Sequence, residues 1–276
     1  MSNHTKLVKE YFRTGESRMG YKLLLNGIRH CGFYPLDESI SHKQAQINMM
    51  DQVAVALRLP KESKVLDAGC GEGATAIYLA KKYGFLITGI DLLEESIEIA
   101  SNNVAESNTS TNFLVGDFNK LPYPDNTFDG IYAIETIVHG SNPKATLKEF
   151  KRVLKPKGHL VIADYTWEKV SNLPKRYRPV MNWINNDVAA PGALIIWPNW
   201  YEKSLAEYEF KNVQVKNITA NVMPMIIWFW RMAIIPYQII RLLKLQSKFV
   251  NTTMGYYSKI FATKGWWQYI VVRATK

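Results

Sequence analysis

The sequence predicts an α/β protein built on an open, mostly parallel sheet. Three observations carry that expectation. From Ser63 onward, short apolar runs alternate with amphipathic stretches of helical period. A glycine-rich turn follows the first run, and long irregular insertions follow two later ones, where open sheets bind ligands. At 276 residues, 47% hydrophobic and 21% charged, the chain can bury one generous core. No internal repeat is visible. Cys31 and Cys70 are too few for a disulfide framework, which fits a reducing compartment. Met1 to Glu10 is polar and charged, unlike a secretory leader, so a cytoplasmic location is expected.

The elements come in order. Residues 1–60 read as a largely helical cap carrying Tyr11, Phe12, Tyr21, Phe33 and Tyr34, and residues 61–276 as the sheet domain. Lys64–Ala68 (KVLDA) reads as a buried strand, followed by the glycine turn and a helix over Ala74–Tyr83. Phe85–Ile90 is a second strand leading to Asp91, and Glu94–Ala105 the next helix. Asn112–Val115 and Phe128–Ile134 make the third and fourth strands. Lys144–Leu154 places Leu147, Phe150, Val153 and Leu154 on one helical face, and Lys155-Pro156-Lys157-Gly158 stops it. His159–Ala163 is a fifth strand; Tyr201–Phe210 is a helix, and Asn212–Asn217 and Trp267–Arg273 are the last strands. Candidate lids are inserted at about 165–199 and 218–265.

Net charge is +10, and all of it lies in the C-terminal part. Residues 1–170 hold 20 basic and 20 acidic side chains, whereas residues 171–276 hold 14 and 4. That asymmetry points to an acidic partner: nucleic acid, anionic lipid or a phosphorylated substrate.

The run Val65-Leu66-Asp67-Ala68-Gly69-Cys70-Gly71-Glu72-Gly73 is the most informative. Glycines there permit positive φ and let a ligand touch backbone N–H groups. Asp91, about 20 residues on at the end of the next strand, is placed to take ribose hydroxyls. Dinucleotide sites share this layout but usually space their glycines as Gly-x-Gly-x-x-Gly; here Gly69, Gly71 and Gly73 are evenly spaced. A phosphate-cradling Gly-x-x-x-x-Gly-Lys-Ser/Thr loop is absent from the sequence.

Asp67-Ala68-Gly69-Cys70-Gly71-Glu72-Gly73 resembles the first motif of class I S-adenosylmethionine-dependent methyltransferases. Other landmarks stand in order: Asp91 at the ribose position, Gly116-Asp117-Phe118 at the adenine position, Leu121 to Asp129 before strand four, and Leu154 to Leu160 before strand five. The resemblance spans Val65 to Asp164. It implies a Rossmann-like sheet of seven strands, mostly parallel with the last antiparallel, and S-adenosyl-L-methionine as cofactor. It implies cofactor contacts from Asp67, Gly69, Gly71, Asp91, Leu92, Asp117, Phe118 and Glu135. No metal is expected, because the histidines are scattered and Cys70 lies inside the cofactor loop.

Tyr132-Ala133-Ile134-Glu135-Thr136-Ile137-Val138-His139 resembles the corresponding segment of sterol C-methyltransferases, and more loosely that of tocopherol and other isoprenoid enzymes. In that group a Glu at this position stabilises a carbocation or removes a proton. Residues 21–35, with His30-Cys31-Gly32-Phe33-Tyr34, are similar to the group's cofactor lid but depart from the Tyr/Trp/Gly-rich sterol pattern. The sequence therefore offers Glu135, His139 and Tyr34 as candidate bases. Against that, Glu135 could merely order the methionine ammonium and His139 cap the next loop.

Residues 221–248 combine aliphatic and aromatic side chains with Arg241, Lys244 and Lys248 at i, i+3, i+7. Their longest apolar run, Val222–Trp230, is nine residues, short of the roughly 20 a spanning helix needs, and Arg231 and Pro236 interrupt the stretch beyond it. Trp228, Phe229 and Trp230 suit a headgroup boundary, so the segment reads as an interfacial helix on anionic lipid or as a pocket lid. Lys175, Arg176 and Arg178 could grip a prenyl diphosphate or be a solvated basic loop. The leading expectation is C-methylation of an isoprenoid or other lipid-like substrate near a membrane. The alternatives are O- or N-methylation of a small hydrophobic metabolite, a nucleic-acid methyltransferase, and a non-catalytic cofactor-binding protein. Nucleic acid is disfavoured because no Asn/Asp-Pro-Pro-aromatic motif follows strand four. Oligomeric state is left open.

Overall fold

The computed structural model describes residues 3–25, 27–107, 109–181 and 189–276. Seven strands form one sheet: β1 Lys64–Ala68, β2 Leu86–Asp91, β3 Thr111–Val115, β4 Phe128–Ile134, β5 Leu154–Trp167, β6 Lys211–Asn217 and β7 Trp267–Thr275. Their order is β3-β2-β1-β4-β5-β7-β6. Strands β1 to β5 pair in parallel, and β7 runs antiparallel between β5 and β6. The central strands are buried on both faces, as parallel strands covered by helices must be. Val65, Leu66, Ala68, Ile131 and Leu160 are fully or almost fully buried.

The helices are α1 Asn3–Arg13, α2 Gly15–Leu25, α3 His42–Leu57, α4 Ala74–Tyr83, α5 Glu94–Ser107, α6 Pro143–Val153, α7 Trp200–Glu207, α8 Thr219–Leu242 and α9 Val250–Thr263. Helix α3 starts at Ser41, whose hydroxyl accepts the Gln44 N–H. Its buried Met49, Met50, Val53 and Leu57 join the sheet's own core. The division drawn at residue 60 therefore cuts through one packed unit, and only α1 and α2 stand over the carboxyl edge as a cap. Helix α6 begins at Asn142, which caps the Ala145 N–H, with Pro143 in its first turn.

Strand β5 is longer than the run His159–Ala163. It starts at Leu154 and absorbs Lys155–Gly158 through a register shift against β4, between Phe128 and Gly130. At its other end, pairing with β7 carries it to Trp167, which lies opposite Trp267. The insertion after it begins accordingly later, and residues 182–188 of that insertion lie outside the described residues.

The larger insertion is a helical hairpin. Helix α8 runs 24 residues through Arg231 and both Pro224 and Pro236. By length and composition it could cross a membrane, contrary to the expectation from its nine-residue apolar run. A proline removes one helical hydrogen bond; burial of Val222, Ile226, Ala233, Tyr237 and Ile240 along one side holds the helix together regardless. The expected basic face is not formed. The helix ends at Leu242, Lys244 takes a left-handed φ of 55°, and Lys248 lies in the turn before α9. Trp228 to Trp230 are half-buried against protein rather than turned outward: Trp228 packs on His42, and Lys259 sits 3.7 Å from the Trp230 ring centre.

Gly89, in the middle of β2, shows how tightly the cofactor end is packed. A Cβ there would lie 2.5 Å from the Phe113 ring and 2.8 Å from Cys70 Cβ. Gly89→Val is expected to destabilise the fold by about 1–3 kcal/mol. A lowered urea midpoint at unchanged slope checks it; an unchanged midpoint would show that Phe113 yields freely.

Candidate active site

Strand order reverses between β1 and β4, so the loops after them diverge and leave a crevice at their carboxyl ends. A cavity of about 430 Å³ occupies it. The turn after β1 is tied to the end of β2: the N–H groups of Gly69 and Cys70 both donate to the Ile90 carbonyl, at 2.8 and 3.1 Å. Asp91 extends this link, accepting the Gly71 N–H at 2.9 Å on Oδ2 and the Leu93 N–H at 3.0 Å on Oδ1. Gly69 has φ 88°, and a Cβ on it would overlap the Thr136 side chain. Only glycine lets the turn pass this close to the β4 loop.

Asp67, Gly69, Gly71, Asp91, Leu92 and Phe118 all line the cavity. Asp67 is buried and receives the Tyr132 hydroxyl at 2.7 Å, yet desolvation pushes its carboxyl up to about 7. Burial also raises Asp91, opposed by the Leu93 and Gly71 N–H bonds and the Arg29 charge. Asp117 does not line the cavity. Its Oδ1 accepts the Asn119 backbone and side-chain N–H groups, both at 2.8 Å, so in this structure it closes a turn beneath Phe118. Arg29 and Glu72 form a 2.8 Å ion pair at the rim, with the Arg29 guanidinium 5.5 Å from the Phe12 ring centre. Sequence reasoning did not single out Arg29 or Glu72.

The other end is built around Glu135. This residue has φ 51°, a left-handed conformation that a non-glycine residue adopts only when its surroundings impose it. Its Oε1 accepts the Cys31 N–H at 2.6 Å and the Tyr269 hydroxyl at 2.9 Å. Burial raises its carboxyl above the ordinary range, and these bonds pull it partly back. Asp164, fully buried behind it, is raised well above the carboxylate range by burial and takes the Tyr165 N–H at 2.9 Å. His139 also lines the cavity, between Tyr11 and Phe12. Its Nδ1 lies 3.1 Å from the Ala189 carbonyl. A carbonyl only accepts, so Nδ1 carries the proton and Nε2 of the neutral ring is the basic nitrogen.

Tyr34 is not brought to the site. It is buried, its hydroxyl pairs with His42 and its backbone bonds Asn221, and it does not line the cavity. Trp167 and Trp267 do line the cavity at Glu135's end, and Tyr269 bonds Glu135 from behind the wall; all three stand on β5 and β7, more than 30 residues from Glu135 in sequence. The only sequence signal for Tyr269 was its inward place in an alternating strand. The cap closes over the cavity from α1 and α2. Glu16 accepts the Asn251 and Thr252 N–H groups at the start of α9, at 3.0 and 2.8 Å, a helix cap supplied by another helix. No metal-holding cluster of His, Cys, Asp and Glu occurs among the described residues.

A glycine turn pinned against the neighbouring strand, the Asp91 carboxylate at that strand's end and a cavity beside them suit an adenosyl amino acid. Residues 59–226 match the methyltransferase domain family. The chain belongs to the S-adenosylmethionine-dependent methyltransferases, on the class I fold, with S-adenosyl-L-methionine as cofactor. Among its relatives, an S-adenosyl-L-methionine-dependent Diels-Alderase of Talaromyces variabilis is 28% identical over 98% of this chain and 95% of its own length. Shorter matches include O- and N-methyltransferases. In fold, the chain is similar to a mycolic acid cyclopropane synthase (TM-score 0.82, 18% identity, 100% and 99% of the two chains). It is also similar to geranyl diphosphate C-methyltransferase of Streptomyces coelicolor A3(2) (TM-score 0.76, 14% identity, 99% and 98%).

Asp91→Ala is expected to weaken cofactor binding at least ~100-fold, since it removes charge-assisted hydrogen bonds of about 1.5–3 kcal/mol each. Calorimetric titration measures this, and affinity unchanged in Asp91→Ala would rule out Asp91 as the ribose partner. Asp67 supplies a pH test. With its folded pKa raised to about 7, the free protein holds a proton there that the unfolded chain has lost, so stability falls as pH rises through that window. A ligand bearing ammonium and sulfonium charges favours the ionised form. Cofactor affinity should therefore rise as pH approaches about 7 and level off above it, with the slope gone in Asp67→Asn. A pH-independent affinity in the parent chain would contradict it.

Proposed function

We propose that this methyltransferase C-methylates a neutral, lipid-like substrate of the isoprenoid or alkene type. The observation that carries the reading is Glu135: a buried carboxylate, at strained φ, facing a cavity walled by aromatic and aliphatic side chains. When bound, S-adenosylmethionine supplies an activated methyl group, so the protein need only align the acceptor and exclude water. Phe229, Trp167, Trp267 and Tyr165 surround the acceptor space with apolar faces. Attack by an alkene carbon leaves positive charge on the substrate, which aromatic faces and a carboxylate stabilise. Glu135, or Nε2 of His139, then accepts the departing proton. Tyr269 and the Cys31 N–H hold the Glu135 carboxylate in place for either role.

The substrate is neutral in this reading because the described lining residues gather no cluster of cations for a diphosphate. Among the described lining residues Arg29 is the one Lys or Arg, and it pairs with Glu72, while Glu16, Asp67, Asp91 and Glu135 add negative charge. Lys175, Arg176 and Arg178 do not line the cavity; Arg178 bonds the Leu173 and Ser171 carbonyls of its own loop. The names of the structural relatives, a geranyl diphosphate C-methyltransferase and a mycolic acid cyclopropane synthase, support a hydrophobic acceptor. One second reading has support of its own. A relative matching nearly the whole chain is named a Diels-Alderase, and a cavity walled largely by apolar side chains suits folding of a polyene.

Methyl-labelled cofactor incubated with neutral-lipid extracts tests both. Transfer of label into the organic phase supports methylation; a substrate consumed and cyclised without label transfer supports the second reading. Glu135→Gln should keep cofactor affinity while turnover drops about 10²–10⁴-fold. In the parent chain, turnover should rise with pH through the raised Glu135 pKa, because the carboxylate is the active form. Turnover within a few fold in Glu135→Gln would remove this residue from the chemistry.

A further inference from the structure

No Asp or Glu follows Glu209, and the α8–α9 hairpin carries only Arg231, Arg241, Lys244, Lys248 and Lys259 as charges. Its outer side is apolar. Ile235, Ile239 and Leu242 stand at i, i+4 and i+7 of α8, 72%, 56% and 82% exposed, and Leu243 and Phe249 continue the patch around the turn. Arg241, Lys244 and Lys248 are exposed at the same tip. Exposed large aliphatic side chains in one stripe, rimmed by cations, are unusual on a protein surface facing water alone.

The two helices of the hairpin are held to each other. Tyr237 stacks on Tyr256 with ring centres 4.0 Å apart, its hydroxyl meets that of Tyr257 at 2.9 Å, and the Lys259 ammonium covers Trp230. The inner sides of the same helices wall the cavity through Ile226, Phe229, Ala233 and Met254. Met232 belongs to both surfaces: it lines the cavity and is 51% exposed. The cavity wall thus reaches the surface at Met232, one turn from Ile235.

We propose that the tip of the α8–α9 hairpin docks in the headgroup layer of an anionic bilayer. Ile235, Ile239, Leu242 and Leu243 enter the acyl boundary, and Arg241, Lys244 and Lys248 meet lipid phosphates. The helix lies on the membrane and does not span it, because spanning would withdraw Val222, Met225 and Ile226 from the protein core. A second copy of the chain is a poor occupant: pairing two tips would oppose like charges. Docking here also places Met232, which lines the cavity, close to the lipid, an entry side for a lipid-soluble acceptor. That last step rests on the proposed substrate, whereas docking itself does not.

The test is flotation of the full chain with phosphatidylcholine vesicles, with and without phosphatidylserine, read independently of turnover. Binding is expected only to the anionic vesicles and should weaken with added salt. The triple variant Arg241→Glu, Lys244→Glu, Lys248→Glu should lower partitioning at least about tenfold, and Ile239→Asp with Leu242→Asp should do the same. None of these residues lines the cavity, so cofactor affinity should stay unchanged and report that each variant is folded. A parent chain that stays soluble with anionic vesicles overturns the proposal. So do variants that bind as well as the parent, or a dimer in sedimentation that Leu242→Asp dissociates in place of any vesicle binding. Vesicle binding without label transfer to any lipid would leave the docking intact and count against the proposed substrate alone.

Discussion

The carbonyl of Ile90 is the point on which the site depends. It accepts two consecutive N–H groups, from Gly69 and Cys70, and so locks the turn after β1 onto the end of β2. Asp91, the next residue, repeats the link through Gly71. A turn pinned in this way to a neighbouring strand needs no reorganisation when a ligand arrives. The same closeness explains the packing constraints around it. Gly69 is pressed against Thr136 from the β4 loop, and Gly89 against Phe113 from β3. The cofactor turn is thus held from three strands.

Those contacts also join the two halves of the site. Thr136, which presses on Gly69, comes directly after Glu135, so the cofactor turn and the acceptor carboxylate are set by one junction. The β5–β7 pairing then brings Tyr269 under Glu135 and carries Trp167 and Trp267 to the cavity wall. Buried carboxyls at positions 67, 135 and 164 make this a strongly desolvated region. Each is raised by burial, which favours the neutral form until a cation enters. A cationic ligand is what such an arrangement is poised to receive.

Above the sheet edge, the cap and the hairpin hold each other. Glu16 caps α9, Tyr11 bonds Asn251 at 2.6 Å, and Arg13 reaches Glu95 on α5. These bonds are polar and partly exposed, and the surfaces they join are apolar on the cavity side. Beside these bonds Val8, Tyr11, Ala189 and Val250 pack into a small apolar cluster of their own.

The sequence alone determined the sheet and the cofactor end, because both are written locally. Strand and helix period depend on neighbours a few residues apart, and Gly69 and Asp91 are the two ends of one strand–helix–strand unit whose β1–β2 pairing follows. Glu135 was singled out as a charge at the end of a buried strand and His139 through the resemblance of residues 132–139, and both line the cavity. The tertiary structure decided everything set by long-range packing. Tyr34 went to His42 and Asn221 instead of the cavity, and Asp117 closed a turn. Tyr269 supplied the hydroxyl that no local pattern marks. Helix α8 continued through two prolines because one side of it is buried, and its end at Leu242 broke up the basic face expected from spacing. Periodicity says which residues could share a face; only packing decides where a helix stops and what that face meets.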